Sequence, residues 1–241
     1  NYYFCDRALR SNPPREPIEQ STFSNVNPYG RQYHSHDKSQ PENVVFMQKL
    51  RSLLNEYNAI SIGEVGDEDR SLETMAIYSA GGDKLHMCYT FDLLGTQFDP
   101  SLFVEKVGGF VDACPEGWPC WAFSNHDVER HASRWAGNSG TSETARFAIS
   151  LLATLRGSIC LYQGEELGLT EAMLTFEQLQ DPYGIRFWPQ FKGRDGCRTP
   201  YPWDAALPSA GFTDGGPWLP VTSDHLPHAH VQQDQKNTSV L

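Results

Sequence analysis

Four short apolar runs recur along this chain, and each ends in polar residues. They are "AISIGEVGD" with Glu64, "KLHMCYTFDLL" with Phe91 and Asp92, "CWAFSNHD" with His126 and Asp127, and "SICLYQGEELG" with Gln163 to Glu166. Segments with helical spacing accompany them. "SQPENVVFMQKLRSLLNEY" puts Met47, Leu50, Leu54 and Tyr57 on one face, and "SLETMAIYS", "DPSLFVEKVGGFVDAC" and "SETARFAISLLATLRG" follow. Alternation of this kind predicts the α/β class, a parallel sheet with helices outside, because parallel strands need a helix-length crossover between them. In such folds the residues at the C-terminal strand ends build the functional site, above all in (β/α)8 barrels.

Local signals place the elements. Ser39 is positioned to cap the first helix, with Pro41 in its first turn and Glu42 at the capping-box position. Ser142 is the expected cap of the last helix and Gly157 its stop. Gly108 and Gly109 weaken the helix that contains them. The chain therefore divides into an irregular segment (1–38), an alternating segment (39–166) and a loop region (167–241) rich in Pro, Gly and aromatics. A loop region that long serves function or docks on a folded body.

Composition removes some function classes. With 241 residues, 39% hydrophobic and 12% aromatic, the chain can bury a sizeable core. A net charge of -11 without a basic run argues against nucleic acid as a partner, which demands a basic patch to displace phosphate counterions. No apolar stretch approaches the ~20 residues of a membrane span, so no membrane partner is expected. Cys5, Cys88, Cys114, Cys120, Cys160 and Cys197 form no C-x-x-C pair, and three of them lie in the apolar runs. They read as free thiols in a reducing cytoplasm. Oligomeric state is left open.

The carboxylates at the strand ends suggest a chemistry. Cleaving a glycosidic bond takes one carboxylic acid to protonate the leaving oxygen and a second carboxylate acting at the anomeric carbon. An apolar strand flanked by glycines delivers Glu64, a candidate acid. Asp127 is a candidate for holding sugar hydroxyls and supporting positive charge at that carbon, with His126 as a hydrogen-bond donor beside it. On spacing alone, helix caps and solvated loop carboxylates explain the same residues equally well.

Four motifs shift that balance. "SIGEVGD", "WAFSNHDVER", "CLYQGEELG" and "GRDGCRTPYPW", in this order, resemble the α-amylase family of glycoside hydrolases, and within it the bacterial α-glucosidase and oligo-1,6-glucosidase branch. "SNPP", "DKSQPEN" and "DPYGIRFWPQFKGRDG" are similar to that branch too. The resemblance implies the second half of a (β/α)8 barrel, four parallel strands with outer helices plus the long loop region. It implies Glu64 as general acid/base and Asp127 as the carboxylate that stabilises the distorted sugar and its oxocarbenium-like transition state. His126 and Arg198 are implied to bind the glucose ring, with Arg194 a weaker alternative to Arg198, and Phe91 to line the cleft. The implied substrate is an α-glucoside or small oligosaccharide, with no cofactor and no metal.

One part of the family pattern finds no match. The family's nucleophile is an Asp in an Arg-x-Asp segment on the strand before that of Glu64, whereas "NYYFCDRALRSNPP" resembles sequence just downstream of it. Asp6 lies too far along to be its counterpart. "NTSVL" resembles the start of the last barrel helix. The chain is therefore expected to be half of a barrel and inactive by itself. A non-catalytic amylase-like scaffold or carbohydrate-binding protein is the rival reading. Sucrose isomerase, trehalose synthase and glucosyltransferase chemistry form a third. Glu165 and Glu166 read as structural. His225, His228 and His230 sit in a Pro-rich loop without the spacing a zinc site needs. Cys197, beside Arg198, is expected to be a somewhat acidic thiol without a general base.

Overall fold

The computed structural model describes residues 6, 8–17, 25–67, 69–136, 141–236 and 239–241. Cys5, Asn237 and Thr238 lie outside them, so the expectations for Cys5 and for the start of "NTSVL" have no structural counterpart. The chain separates into two compact units, residues 1–122 with 155–160, and residues 123–154 with 161–241.

The first unit carries all the strands found among the described residues. Strand β1 (Ile62–Val65) pairs in parallel with β2 (Met87–Thr90), and Glu64 lies opposite Tyr89. Strand β3 (Cys120–Trp121) pairs in parallel with β4 (Ser158–Ile159). The expected four parallel strands are present as two pairs, and among the described residues no closed barrel is formed. Gly63 packs closely: a Cβ there would come within 2.5 Å of the tip of the Leu85 side chain. At Gly157, φ is +132° and a Cβ would lie 2.6 Å from the Pro119 carbonyl, the carbonyl that accepts from Ser158 N–H at the start of β4.

Helices follow the expected crossovers. Helix α1 (Glu42–Glu56) is tied to α2 (Ser71–Ser79) by a buried hydrogen bond, Asn43 Nδ2 to the Tyr78 hydroxyl, 2.9 Å. The helical run between β2 and β3 is α3 (Pro100–Phe103), a π-helical turn (Val104–Gly108) and α4 (Gly109–Ala113). The turn ends at the Gly108–Gly109 pair, where helix propensity is lowest. Asp99 caps the run, its Oδ1 accepting from Ser101 N and Leu102 N. The core of the unit gathers Met75, Cys88, Phe110, Cys120 and Trp121, all buried. Phe110 meets Trp121 edge to face at 6.1 Å, a geometry worth about 0.5–1.5 kcal/mol beyond area burial.

Ser39 does not cap α1. Its φ is +52°, and its hydroxyl donates to Asp67 Oδ2 at 2.7 Å. Pro41 stands at the N-cap instead. The buried Asp67 carboxylate also accepts from the Thr74 hydroxyl and Arg70 N–H, and it recruits the serine that the local pattern assigns to the helix. Burial alone would raise the Asp67 carboxyl. Its hydrogen bonds outweigh that and hold it below the ordinary carboxylate range.

The second unit is mostly loop. Its helices are α5 (His131–Ala136), α6 (Thr141–Thr154), α7 (Pro182–Phe187) and α8 (His230–Asp234). Thr141 already belongs to α6, so Ser142 lies inside the first turn and not at the cap. Phe123, Leu152, Leu167, Leu169 and Leu219 form the buried apolar set. Side chains reach across to loop carbonyls where helices are absent: His225 Nε2 to Thr170 O at 2.8 Å, and Gln233 Nε2 to Leu167 O. Among the described residues no helix is long and apolar enough to cross a membrane.

Candidate active site

The second unit brings four expected residues together. Past the end of β3 the chain turns at Asn125, whose Oδ1 accepts from Asp127 N–H at 2.9 Å. This Asx-type turn presents His126 to solvent and leaves Asp127 half-buried. Asp127 Oδ1 accepts from Arg194 Nη1 at 2.8 Å and from Arg198 Nη2 at 2.9 Å. His126 Nε2 stands 3.6 Å from the same oxygen, and Arg198 Nε donates to the His126 carbonyl at 2.7 Å. Among the described residues no hydrogen bond reaches Asp127 Oδ2. Both Arg194 and Arg198, the two arginines considered for the glucose ring, bind this one carboxylate oxygen.

Arg194 has a second, buried partner. Its Nη2 and Nε donate to Asp181 Oδ1 and Oδ2 at 2.9 and 3.0 Å, a two-point fork. Its backbone N–H adds a third bond to Asp181 Oδ2 at 2.8 Å. These bonds, chiefly the Asp181 fork, raise the guanidinium above its ordinary value. Asp181 in turn caps α7 through Tyr183 N–H, ahead of Pro182 at the helix start. Burial alone would raise its carboxyl. The bonds and charge of Arg194 outweigh that and leave it lowered. Asp195, also buried, accepts from the backbone N–H groups of Gln180 and Asp181 at 2.6 and 2.7 Å.

Glu64 and Phe91 belong to the first unit. Glu64 is the third residue of β1 and is exposed. Phe91 is half-buried at the end of β2, at the head of a 3-10 turn (Asp92–Leu94). The neighbouring Asp92 is bound by the Thr90 hydroxyl at 2.6 Å and faces Lys106 at 3.4 Å. Asp6 pairs with Arg10 at 2.8 Å.

Glu165 is fully buried against His131, Oε1 to Nδ1 at 2.8 Å, and its Oε2 accepts from Tyr162 N–H. Among the described residues no group of three His, Cys, Asp or Glu is placed to hold a metal. The thiol of Cys197 is not acidic. Burial pushes it up to about 12, and its Sγ donates to the Arg194 carbonyl at 3.1 Å. The positive charge of Arg198 does not compensate for lost solvation.

Sequence reasoning did not find Asp181, Asp195, Arg130 or Glu171. Asp181 carried a readable signal, an Asp-Pro pair at a helix start. Glu171 accepts from Arg130 N–H at 3.0 Å and is pushed by burial up to about 7.

The family pattern described as "Alpha amylase, catalytic domain" matches residues 8–241. The chain belongs to the α-amylase family. A probable α-glucosidase of Rhizobium meliloti is 51% identical over 100% of this chain and 44% of its own length. Maltase A1 of Drosophila melanogaster is 31% identical over 91% of this chain and 40% of its own. In structure, the α-glucosyl transfer enzyme XgtA superposes with a TM-score of 0.92 at 51% identity, covering 100% of this chain and 45% of that one. A trehalose-6-phosphate hydrolase of Bacillus licheniformis shares the fold at 22% identity, with a TM-score of 0.72 over 86% of this chain and 42% of that one. The chain spans less than half the length of these α-amylase relatives.

Proposed function

We propose that the polypeptide carrying these residues is a retaining glycoside hydrolase of the α-glucosidase type, acting on α-glucosidic bonds of small oligosaccharides. Residues 1–241 form part of one catalytic domain, the second half of a (β/α)8 barrel. The observation that carries this reading is Asp127: a carboxylate with one oxygen anchored by two arginines, beside an exposed histidine, in a family named for glycosidic chemistry.

Glu64 is the general acid/base. In the first step a carboxylate nucleophile attacks the anomeric carbon, and the Glu64 proton passes to the leaving oxygen as the C–O bond breaks. In the second, Glu64 takes a proton from water, whose oxygen attacks the same carbon and frees the nucleophile. No residue of this chain is assigned as that nucleophile. Asp127 stabilises positive charge at the anomeric carbon, His126 and Arg198 hold the glucose ring, and Phe91 lines the path of the substrate. The free thiols of Cys88, Cys114, Cys120 and Cys197 support a cytoplasmic location.

The likeness to XgtA favours a second outcome of the same chemistry, in which a hydroxyl acceptor replaces water and glucose is transferred. Release of 4-nitrophenol from 4-nitrophenyl α-glucoside, with Glu64→Gln as the comparison, tests the reading. Turnover falling about 10²–10⁴-fold in the variant is expected, and unchanged turnover overturns the assignment. The 241 residues alone are expected to release none.

A further inference from the structure

Arg130 is buried to 1% exposure, and among the described residues its guanidinium hydrogen-bonds to main-chain carbonyls only. Nη1 donates to the Gln163 carbonyl at 2.6 Å and Nη2 to the Cys197 carbonyl at 2.9 Å. The ring of Tyr162 lies 5.2 Å from the guanidinium carbon, and its hydroxyl donates to the same Cys197 carbonyl at 3.1 Å. Arg130 Nε is buried and has no hydrogen-bond partner among the described residues. A buried cation with an unpaired donor is costly, so the two carbonyl bonds are a specific fixture and not a generic filling of the core.

What the fixture holds is the residue next to Arg198. The segment 126–130 and the turn 194–198 are joined through three arginines and in both directions. Arg194 and Arg198 reach from the turn to Asp127 Oδ1, and Arg198 also to the His126 carbonyl. Arg130 reaches from the other segment back to the Cys197 carbonyl. The contacts at Asp127 converge on one oxygen, and the separate Arg130 contact holds the Cys197 end of the turn, next to Arg198. The turn is closely packed around Gly196 as well: a Cβ there would come within 2.1 Å of Glu171 Oε1, and Ala172 N–H donates to Gly196 O.

We infer that Arg130, with Tyr162, is a positioning residue for glucose binding: by holding the Cys197 carbonyl it sets where the Arg198 guanidinium stands against Asp127. The inference rests on the proposed role of Arg198 and Asp127 in the glucose site. A carbonyl-bound guanidinium fork cannot be reproduced by the single ammonium of lysine, so Arg130→Lys keeps the charge and loses the fixture.

Two readouts separate this inference from the functional reading. The first needs no activity. In ¹H–¹⁵N spectra of the full polypeptide, the Arg198 Nε–H, held by its bond to the His126 carbonyl, should lose its slowed solvent exchange in Arg130→Lys while the backbone amide dispersion is kept. Tyr162→Phe, which removes one donor to the same carbonyl and keeps the ring, should show a smaller loss in the same direction. An unchanged Arg198 Nε–H in both variants overturns the inference even if glucosides are turned over. The second is a double-variant cycle of Arg130→Lys and Arg198→Lys on kcat/KM for 4-nitrophenyl α-glucoside, in the full polypeptide. Each single change should cost about 10- to 100-fold, and the pair little more than either alone. Effects that multiply overturn it. If no variant and no wild-type protein turns over the glucoside, the functional reading fails and the spectra still decide the positioning role.

Discussion

The two units of this chain solve the same problem with different materials. The first is ordered by periodic structure, with paired strands, amphipathic helices and an apolar core around Phe110 and Trp121. The second has short helices and long loops, and much of its order comes from buried charged groups binding backbone and one another: Asp181 with Arg194, Asp195 with two amides, Arg130 with two carbonyls. Apolar packing is non-directional and tolerates repacking. A charge-assisted network is directional, and loss of one member leaves its partner buried and unpaired. The loop-rich unit is therefore the one that presents an aligned set of polar groups, and also the one most easily broken by a single charge deletion.

The largest expected break is Asp181→Ala. It leaves the Arg194 guanidinium with Asp127 as its remaining carboxylate partner, removes the cap of α7, and should lower stability by about 3 kcal/mol. Urea unfolding checks this, and a loss below about 1 kcal/mol would show that the network carries little of the unit's stability.

Glu171 sharpens the comparison through pH. Its carboxyl titrates at about 7 in the folded chain, against an ordinary value of 4.5. Folding therefore retains a proton that the unfolded chain releases, and stability falls as pH rises from about 4.5 to about 7, then levels off. Glu171→Gln should remove this fall and gain roughly 3 kcal/mol over wild type at pH 8, with little difference at pH 4. Parallel pH curves for the two proteins would refute it.

Smaller effects belong to the periodic unit. Gly157→Ala places a Cβ against the Pro119 carbonyl at a left-handed φ, and should cost about 1–3 kcal/mol. Ser39→Ala removes one of the hydroxyls that Asp67 collects and should cost about 1 kcal/mol. Thermal unfolding measures both. A Ser39→Ala loss equal to that of Asp181→Ala would erase the contrast between the units.

Legibility in the sequence follows the same contrast. All four strands were readable because alternation and apolar runs are local signals, yet their lengths were not. "CWAFSNHD" leaves the ladder after Trp121 although Phe123, Ser124 and Asn125 stay buried. An apolar run reports burial, and burial does not require strand pairing. The serine cap failed because Asp67, far along the chain, outcompeted the helix end. His126, Asp127 and Arg198 were found through motifs, and the structure brings them together. Arg130 and Asp195 act on main-chain atoms, and such partners leave no residue-type signature. Asp127 and Arg198 are 71 residues apart, a contact that no local pattern announces.

The one-sided anchoring of Asp127 changes what its nearest substitute would be. Both arginines bind Oδ1. In Asp127→Asn the two guanidiniums can only be met by the amide oxygen, since an NH₂ group there would face donors. The side chain is thus locked in one rotational sense, with its NH₂ turned to the position of Oδ2. The variant would not be a carboxylate minus its charge: toward a sugar hydroxyl it would offer a donor where an acceptor had been, a reversal of hydrogen-bond polarity that added salt cannot mimic.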